Sequence, residues 1–347
     1  SARAVDEPHE SRRGWRRYDT RCFWATGDPA FSNRVSTGLL PHCAACRGRR
    51  TRNRPARYGG IPAAGLPAGV FNMIHGSGRE IGGALSSHPD VDLVTFTGST
   101  AAGIKVANKA APDVKRVCLE LGGKSPFIIT EEANLDAAIH FGVNHVMVNT
   151  GQTCDALTRM IVHESRYDDA VNLAKSAAES LVVGDPTDPN VFVGPMSSAG
   201  QKQTVLDYID QAISDGARLV TGGTDMPAGM STGNYVSPTI FADVTNDMNI
   251  AQEEVFGPVL VMIKYSTIDQ AIDIANDTPY GLAAAVWAGD KDKATSIAKR
   301  IRAGQCAING GDANHEAPFG GYKESGNGRE FGDAGLHEYC ELKAMQY

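Results

Sequence analysis

Lysine is absent from the first 60 residues, where arginine occurs 13 times. Beyond residue 60 the balance inverts to 12 Lys against 8 Arg. Acidic residues sharpen the break, with 13 basic against 5 acidic side chains before it and 20 against 35 after it. A net charge of −7 argues against nucleic acid as the main partner. No apolar run approaches the roughly 20 residues of a membrane helix, so no membrane partner is expected. No charged-then-apolar leader opens the chain, so export is not expected either. The seven cysteines are an odd, scattered set. They make no disulfide framework, and reduced thiols in a cytoplasmic protein are the expectation. The chain starts at Ser1 instead of Met, which reads as a fragment or a processed product.

What is there describes a globular protein. A length of 347 residues allows two domains, and 42% hydrophobic with 21% charged residues is ordinary for a packed core. Residues 1–60 show neither helical nor strand periodicity. The run Cys46-Arg47-Gly48-Arg49-Arg50-Thr51-Arg52 would repel itself in a core. Three readings stand for this stretch. It is a basic arm for nucleic acid or a membrane surface, or a zinc site on Cys43-x-x-Cys46 with Cys22 or His42 that lacks a second pair. Otherwise it carries no evolved structure, since Arg, Ala, Gly and Pro are what GC-rich DNA yields out of frame.

From about residue 64 the pattern is regular. Strands are expected at 70–74, 91–96, 114–119, 124–130, 159–162, 217–221, 235–241, 259–265, 282–288 and 305–309. Helices are expected at 79–87, 101–110, 136–148, 168–181, 200–214, 268–276 and 291–302. That alternation predicts an α/β fold with a parallel sheet covered on both faces. The turn Thr97-Gly98-Ser99-Thr100 joins a buried strand to a helix start. Free N–H groups and the positive helix end there suit a nucleotide phosphate, although many such turns carry glycine for conformation alone.

Two short runs carry the chemistry. Cys154 lies in Asn149-Thr150-Gly151-Gln152-Thr153-Cys154-Asp155, among small polar residues, unlike Cys118 and Cys306 inside strands. Such a cysteine reads as a nucleophile, and because only the thiolate attacks, it needs a base. Glu120 closes an apolar strand before Leu121-Gly122-Gly123. Burial there would raise its pKa toward that of a general base; an ion pair with Lys124 is the plainer alternative.

From about residue 64 to 347 the sequence resembles the NAD(P)-dependent aldehyde dehydrogenases. The motifs are FTGST (96–100), LELGGKSP (119–126), NTGQTCDALTR (149–159), EEVFGPVL (253–260), NDTPYGLAAAVW (276–287) and PFGGYKESGNGREFG (318–332). The resemblance implies an aldehyde dehydrogenase-like α/β fold, with a partial Rossmann-type cofactor domain and a parallel α/β catalytic domain. It implies Cys154 as nucleophile, Glu120 as base and Glu330 as a second carboxylate in a proton relay. Gly98 and Ser99 would meet the pyrophosphate, Leu121 and Gly122 would line the cofactor site, and Glu254 with Phe256 beside it would hold the nicotinamide ribose. NAD is the expected cofactor, with NADP open, and the partner is a small aldehyde, no metal being called for. Glu341 and Lys343 fall in a tail that pairs with a neighbouring subunit, so a homodimer or homotetramer is implied.

The expected division is an aberrant segment at 1–63, a remnant of the dinucleotide-binding domain at 64–122, a catalytic domain at 123–324 and an oligomerisation segment at 325–347. The family's Thr-Pro-Trp-Asn and Lys-Pro-Ser-x-Glu type motifs should fall near residues 20–23 and 44–50, and neither is there. Segment length is kept while identity is lost, as a reading-frame error produces. Trp15–Thr20 can be written in codons whose next frame reads Gly-Val-Ala-Met-Thr-Pro. On this view the half-sheet that grips adenosine is missing.

Overall fold

The computed structural model describes residues 22–26, 42–47 and 70–347. Its strands fall into two sheets. The first contains β1 (Cys22–Thr26), β2 (His42–Arg47), β3 (Phe71–Gly76), β4 (Leu93–Thr97), β5 (Arg116–Glu120) and β13 (Gly326–Asn327), in the order β13-β5-β4-β1-β2-β3. The second contains β6 (Pro126–Ile129), β7 (Arg159–His163), β8 (Arg218–Thr221), β9 (Thr239–Ala242), β10 (Val259–Tyr265), β11 (Ala283–Trp287) and β12 (Gln305–Ile308), in the order β12-β11-β6-β7-β10-β9-β8. Pairing is parallel except for β8 with β9 and β13 with β5.

Burial explains why these runs are strands. The central β6, β7 and β10 are covered on both faces, so they are largely apolar without strict alternation, Lys264 near the end of β10 being exposed. Helices α1 (Gly83–Ser86), α2 (Thr100–Ala110), α3 (Leu135–Met147), α4 (Tyr167–Glu179), α5 (Ala199–Ser214), α6 (Asn249–Gln252), α7 (Ile268–Asn276), α8 (Lys291–Ala298) and α9 (Gly332–Glu338) supply the cover. In α3 the buried Leu135, Ala138, Ile139, Gly142, Val143, Val146 and Met147 form one stripe at helical spacing. The Asn134 side chain accepts the Ala137 N–H and starts that helix. Gly142 is required in it, because a Cβ there would lie 2.6 Å from the Phe127 ring.

Three expectations change. The half-sheet expected to be missing has β1 and β2 in parallel register between β4 and β3, with Trp24 opposite both Ala44 and Thr95. Ladder bonds are main-chain bonds, and the short apolar runs at 22–25 and 43–46 reach strand length without alternation. The zinc alternative turns on side chains of β1 and β2 that are not described, and residues 1–21, 27–41 and 48–63 lie outside the described residues. The helix expected at 79–87 is a π-helical turn, Gly78–Gly82, running into α1; Gly78, Gly82 and Gly83 weaken a regular helix there. The helix expected to reach residue 302 ends at Ala298, and β13 and α9 were not anticipated in the glycine-rich tail.

Candidate active site

Glu120 ends β5, and its register partner on β4 is Thr97. The next residue on β4, Gly98, donates its N–H to the Glu120 carbonyl at 3.0 Å. The carboxyl ends of two parallel strands therefore lie side by side, the crevice where open α/β sheets place ligands. The Glu120 side chain is 5% exposed, and neither oxygen has a hydrogen-bond partner. Burial first, and then the Glu330 carboxylate, push its pKa up to about 9, against the pull of Arg329. Burial also raises Glu330. Main-chain bonds between Glu330 and Phe319, at 2.7 and 2.8 Å, hold Glu330 in place. The ion pair with Lys124 is not formed, since the Lys124 Nζ is likewise without a hydrogen-bond partner.

Cys154 is reached through a strained loop. Asn149, Thr150 and Gly151 are left-handed in succession, with φ of 53°, 60° and 69°. Only Gly151 adopts that region at little cost, and its Cα packs against the carbonyl of Gly257, where a Cβ would collide. Side chains compensate: Asn149 Nδ2 donates to the Gln152 carbonyl, Gln152 Nε2 to the Asn149 carbonyl, and Thr150 Oγ1 to the Gly194 carbonyl. The Gln152 Oε1 accepts the Ser197 N–H at 2.8 Å. Cys154 then stands in a turn, half-buried. Burial pushes its thiol pKa well up, and the charges of Asp155, Glu254 and Glu120 add to that. Cys306 is raised to about 12 by burial alone, as suits an inert thiol.

The Gly122–Gly123 turn joins these parts. A Cβ on Gly123 would lie 2.5 Å from the Cys154 carbonyl, and one on Gly122 would collide with the Glu254 carboxylate. Glu254 Oε1 accepts the Gly123 N–H at 3.0 Å. Phe256 follows in a left-handed conformation, φ 53°. Gln201 Nε2 clamps that loop by donating to the carbonyls of Val255 and Phe256. The Cys154 thiol thus lies within electrostatic reach of Glu254 and Glu120, and Glu120 within reach of Glu330.

The βα turn at residues 97–100 leads from β4 into α2. Ser99 caps α2, its Oγ accepting the Ala102 N–H, and Thr100 Oγ1 donates to the Glu324 carbonyl. Gly98 leaves no room for a side chain, since a Cβ would lie 2.5 Å from the Phe96 ring. The Leu121 side chain packs with Phe96 and Leu119 in the core and against Gly103, and its N–H donates to the Ser325 carbonyl.

Sequence reasoning missed Ser325, which is fully buried. Its Oγ donates to the Gly122 carbonyl at 2.6 Å and accepts the Gly281 N–H at 2.9 Å, while its carbonyl accepts the Leu121 N–H at 3.0 Å. The signal was a lone serine inside Gly320–Gly328. Arg159 was also missed. Wholly buried, it donates to the carbonyls of Lys124, Ile274 and Ala275 and to Asn246 Oδ1, fastening the site strand to the C-terminus of α7. No helix among the described residues is long and apolar enough to cross a membrane.

A model of the aldehyde dehydrogenase family matches residues 60–345. A 3-succinoylsemialdehyde-pyridine dehydrogenase of a Pseudomonas species is 47% identical over 281 residues, covering 81% of this chain and 59% of that protein. A putative aldehyde dehydrogenase of Staphylococcus saprophyticus matches with the same identity and coverage. This chain thus spans about three-fifths of the length of these curated relatives. Among solved structures, aldehyde dehydrogenase C of Pseudomonas syringae, a cysteine-to-alanine mutant with NAD+ and octanal, superposes with a TM-score of 0.84 at 42% identity. That match covers 94% of this chain and 68% of the other. The aldehyde dehydrogenase KauB of Pseudomonas aeruginosa gives 0.85 at 37% identity, with the same coverage.

Proposed function

The chain belongs to the aldehyde dehydrogenase family, and from that premise we propose that it oxidises an aldehyde to a carboxylic acid with NAD+, Cys154 being the nucleophile and Glu120 the base. The observation that carries this reading is the Gly122–Gly123 turn, which packs against the Cys154 main chain on one side and the Glu254 carboxylate on the other.

NAD+ fits the groups present. Gly122 lets the main chain pass against the Glu254 carboxylate, where a Cβ would collide, and α2 offers its N-terminus to a pyrophosphate. Ser99 and Gly98 would lie against that group, while the Glu254 carboxylate is a natural acceptor for ribose hydroxyls, with Phe256 beside it and the Leu121 main chain opposite. When bound, NAD+ supplies the hydride acceptor and a positively charged ring. NADP+ is the competing choice.

The Cys154 thiol is mostly protonated at rest, because burial and three carboxylates oppose the thiolate. Loss of its proton is therefore tied to attack: as sulfur adds to the carbonyl carbon, the ionised form of Glu120 takes the thiol proton and passes it on before deacylation, and the carbonyl oxygen becomes an alkoxide. The Cys154 N–H can serve as a donor to that oxyanion, and removing one such donor typically costs about 10²–10³ in rate. Oxidation of the thiohemiacetal leaves an acyl thioester on Cys154. Glu120, with a pKa near 9, then takes a proton from water as its oxygen adds, and the carboxylate leaves as the thiol re-forms. Glu330 can carry that proton onward.

The test is NADH production from a simple aldehyde by the 347-residue chain, which Cys154→Ala should abolish. No NADH from short, aromatic or long-chain aldehydes with either nucleotide would sink the reading. A cytoplasmic homodimer or homotetramer is the form proposed.

A specific observation favours a second reading, an inactive frameshifted relative that keeps fold or subunit contacts only. The family match starts at residue 60, and the curated relative matches 281 residues, 81% of the chain. Sequence likeness therefore stops short of residues 1 to about 60, as expected if that stretch is read out of frame. Ester hydrolysis without NADH turnover would support it. A coding DNA with no Trp-Asn or Lys-Pro-Ser run in its other frames at the matching positions would end it.

A further inference from the structure

The Glu120 carboxyl is buried, and neither oxygen has a hydrogen-bond partner among the described residues. Its place is therefore set by packing. A Cβ on Gly320 would lie 2.6 Å from Glu120 Oε1, 2.8 Å from the Gly328 carbonyl oxygen and 3.0 Å from Arg329 Cδ. The bare Cα of Gly320 thus borders the carboxyl directly, and its φ of +150° is one that side chains rarely adopt. That glycine is itself fixed. Phe319 and Glu330 exchange both main-chain hydrogen bonds beside it, at 2.8 and 2.7 Å. Arg329 Nη1 donates to the carbonyls of Gly321 and Gly328 at 3.1 and 2.6 Å. Gly304, just before β12, packs against the Gly320 carbonyl, where a Cβ would collide. Farther along the same loop, β13 pairs with Glu120 and Leu119, and Asn327 Oδ1 accepts the Leu119 N–H. The segment 319–330 therefore holds the main chain of Glu120 at one end and borders its carboxyl at the other. A side chain with a donor at residue 320 would bond the carboxylate and lower its basicity. Glycine limits the reach of the carboxyl and leaves both oxygens free to take a proton.

We propose that Gly320 is a positioning residue for the base: its bare Cα is the seat against which the Glu120 carboxyl rests, and the missing side chain sets where that carboxyl stands during deacylation. This rests on the reading of Cys154 as nucleophile and Glu120 as base. A methyl group at residue 320 drives the carboxyl off its seat. Shortening Glu120 to aspartate draws the carboxyl back by one methylene, keeps it ionisable, and makes room for that methyl.

The experiment follows single-turnover deacylation after p-nitrophenyl acetate on the full chain, Gly320→Ala, Glu120→Asp and the double variant, with a thermal melt of each. Either single substitution misplaces the base and should slow deacylation on the order of 10²-fold. Two side chains that share one space do not act independently, so the losses should not multiply. The double variant should deacylate within about tenfold of Glu120→Asp alone and melt no lower than Gly320→Ala. Unchanged deacylation in Gly320→Ala, or a double variant slower than that, overturns the role of Gly320 and leaves the dehydrogenase reading standing. If Gly320→Ala alone does not fold, a cooperative melt regained in the double variant supports the contact, and a double variant that also fails to fold overturns it. A full chain that p-nitrophenyl acetate acylates no better than it does Cys154→Ala overturns the dehydrogenase reading and this inference together.

Discussion

The main-chain N–H of Gly98 is bonded to the carbonyl oxygen of Glu120 at 3.0 Å. Through it the Gly98–Thr100 turn and the strand end bearing Glu120 are joined in one unit. Ser325 secures the same unit from the other side, through the Leu121 N–H and the Gly122 carbonyl.

Ser325→Ala should accordingly damage the fold and the site together. It leaves the Gly122 carbonyl and the Gly281 N–H unpaired in a fully buried place. A loss of about 2–3 kcal/mol in urea unfolding is expected, with kcat/KM falling at the same time. A stability loss under 0.5 kcal/mol would show that water replaces the hydroxyl.

Glu120→Gln should stabilise the protein at neutral pH. The folded-state pKa of Glu120, about 9 against an ordinary 4.5, means the folded chain binds a proton that the unfolded chain has released. Its contribution is thus favourable below pH 4.5 and is lost progressively as pH rises toward 9. Gln has no such dependence, so the gain should be near zero at pH 4 and on the order of 3 kcal/mol at pH 7. Thermal melts at the two pH values measure it; an equal gain at both would mean that packing, and not ionisation, is responsible.

Most of the fold was legible because its strands and helices are runs of one period. β10 and α7 fall where residues 259–265 and 268–276 place them, and α3 shows a full apolar stripe. The site was legible where chemistry demands an unusual residue: a thiol among polar neighbours, a carboxylate after an apolar strand. It was not legible where the role is carried by main chain or by distant partners. Leu121 reads like any leucine until its side chain is seen against Gly103. Ser325 and Arg159 act on carbonyls more than 30 residues away, and no spacing rule reaches that far. β1 and β2 lacked alternation, so periodicity passed over them.

Gly151→Ala tests the strained loop. Gly151 has φ of +69°, and an added Cβ would collide with the Gly257 carbonyl. The left-handed conformation alone costs about 1 kcal/mol for alanine, and the collision must also shift Asn149–Gln152 or the segment after Phe256. Either shift moves Cys154 relative to Glu120. The expected result is a modest drop in Tm with at least a tenfold slower reaction of Cys154 with iodoacetamide. An unchanged alkylation rate would mean the thiol's position is set elsewhere.

The pH dependence of deacylation isolates Glu120 from the nucleotide. An activated ester such as p-nitrophenyl acetate acylates Cys154 directly, and thioester hydrolysis then needs only water and a base. The base must be ionised to accept a proton, and burial together with Glu330 holds Glu120 in the acid form until about pH 9. Single-turnover deacylation should therefore climb about tenfold per pH unit from pH 6.5 and level near 9. Glu330→Gln removes a neighbouring charge that raises Glu120, so the whole limb should move to lower pH. Removing the positive charge of Arg329, as in Arg329→Met, should move it to higher pH, because Arg329 alone pulls Glu120 down. Opposite displacements by these two variants, with the limb lost in Glu120→Gln, would assign the proton to Glu120. Displacement in the same direction would mean that another group accepts it.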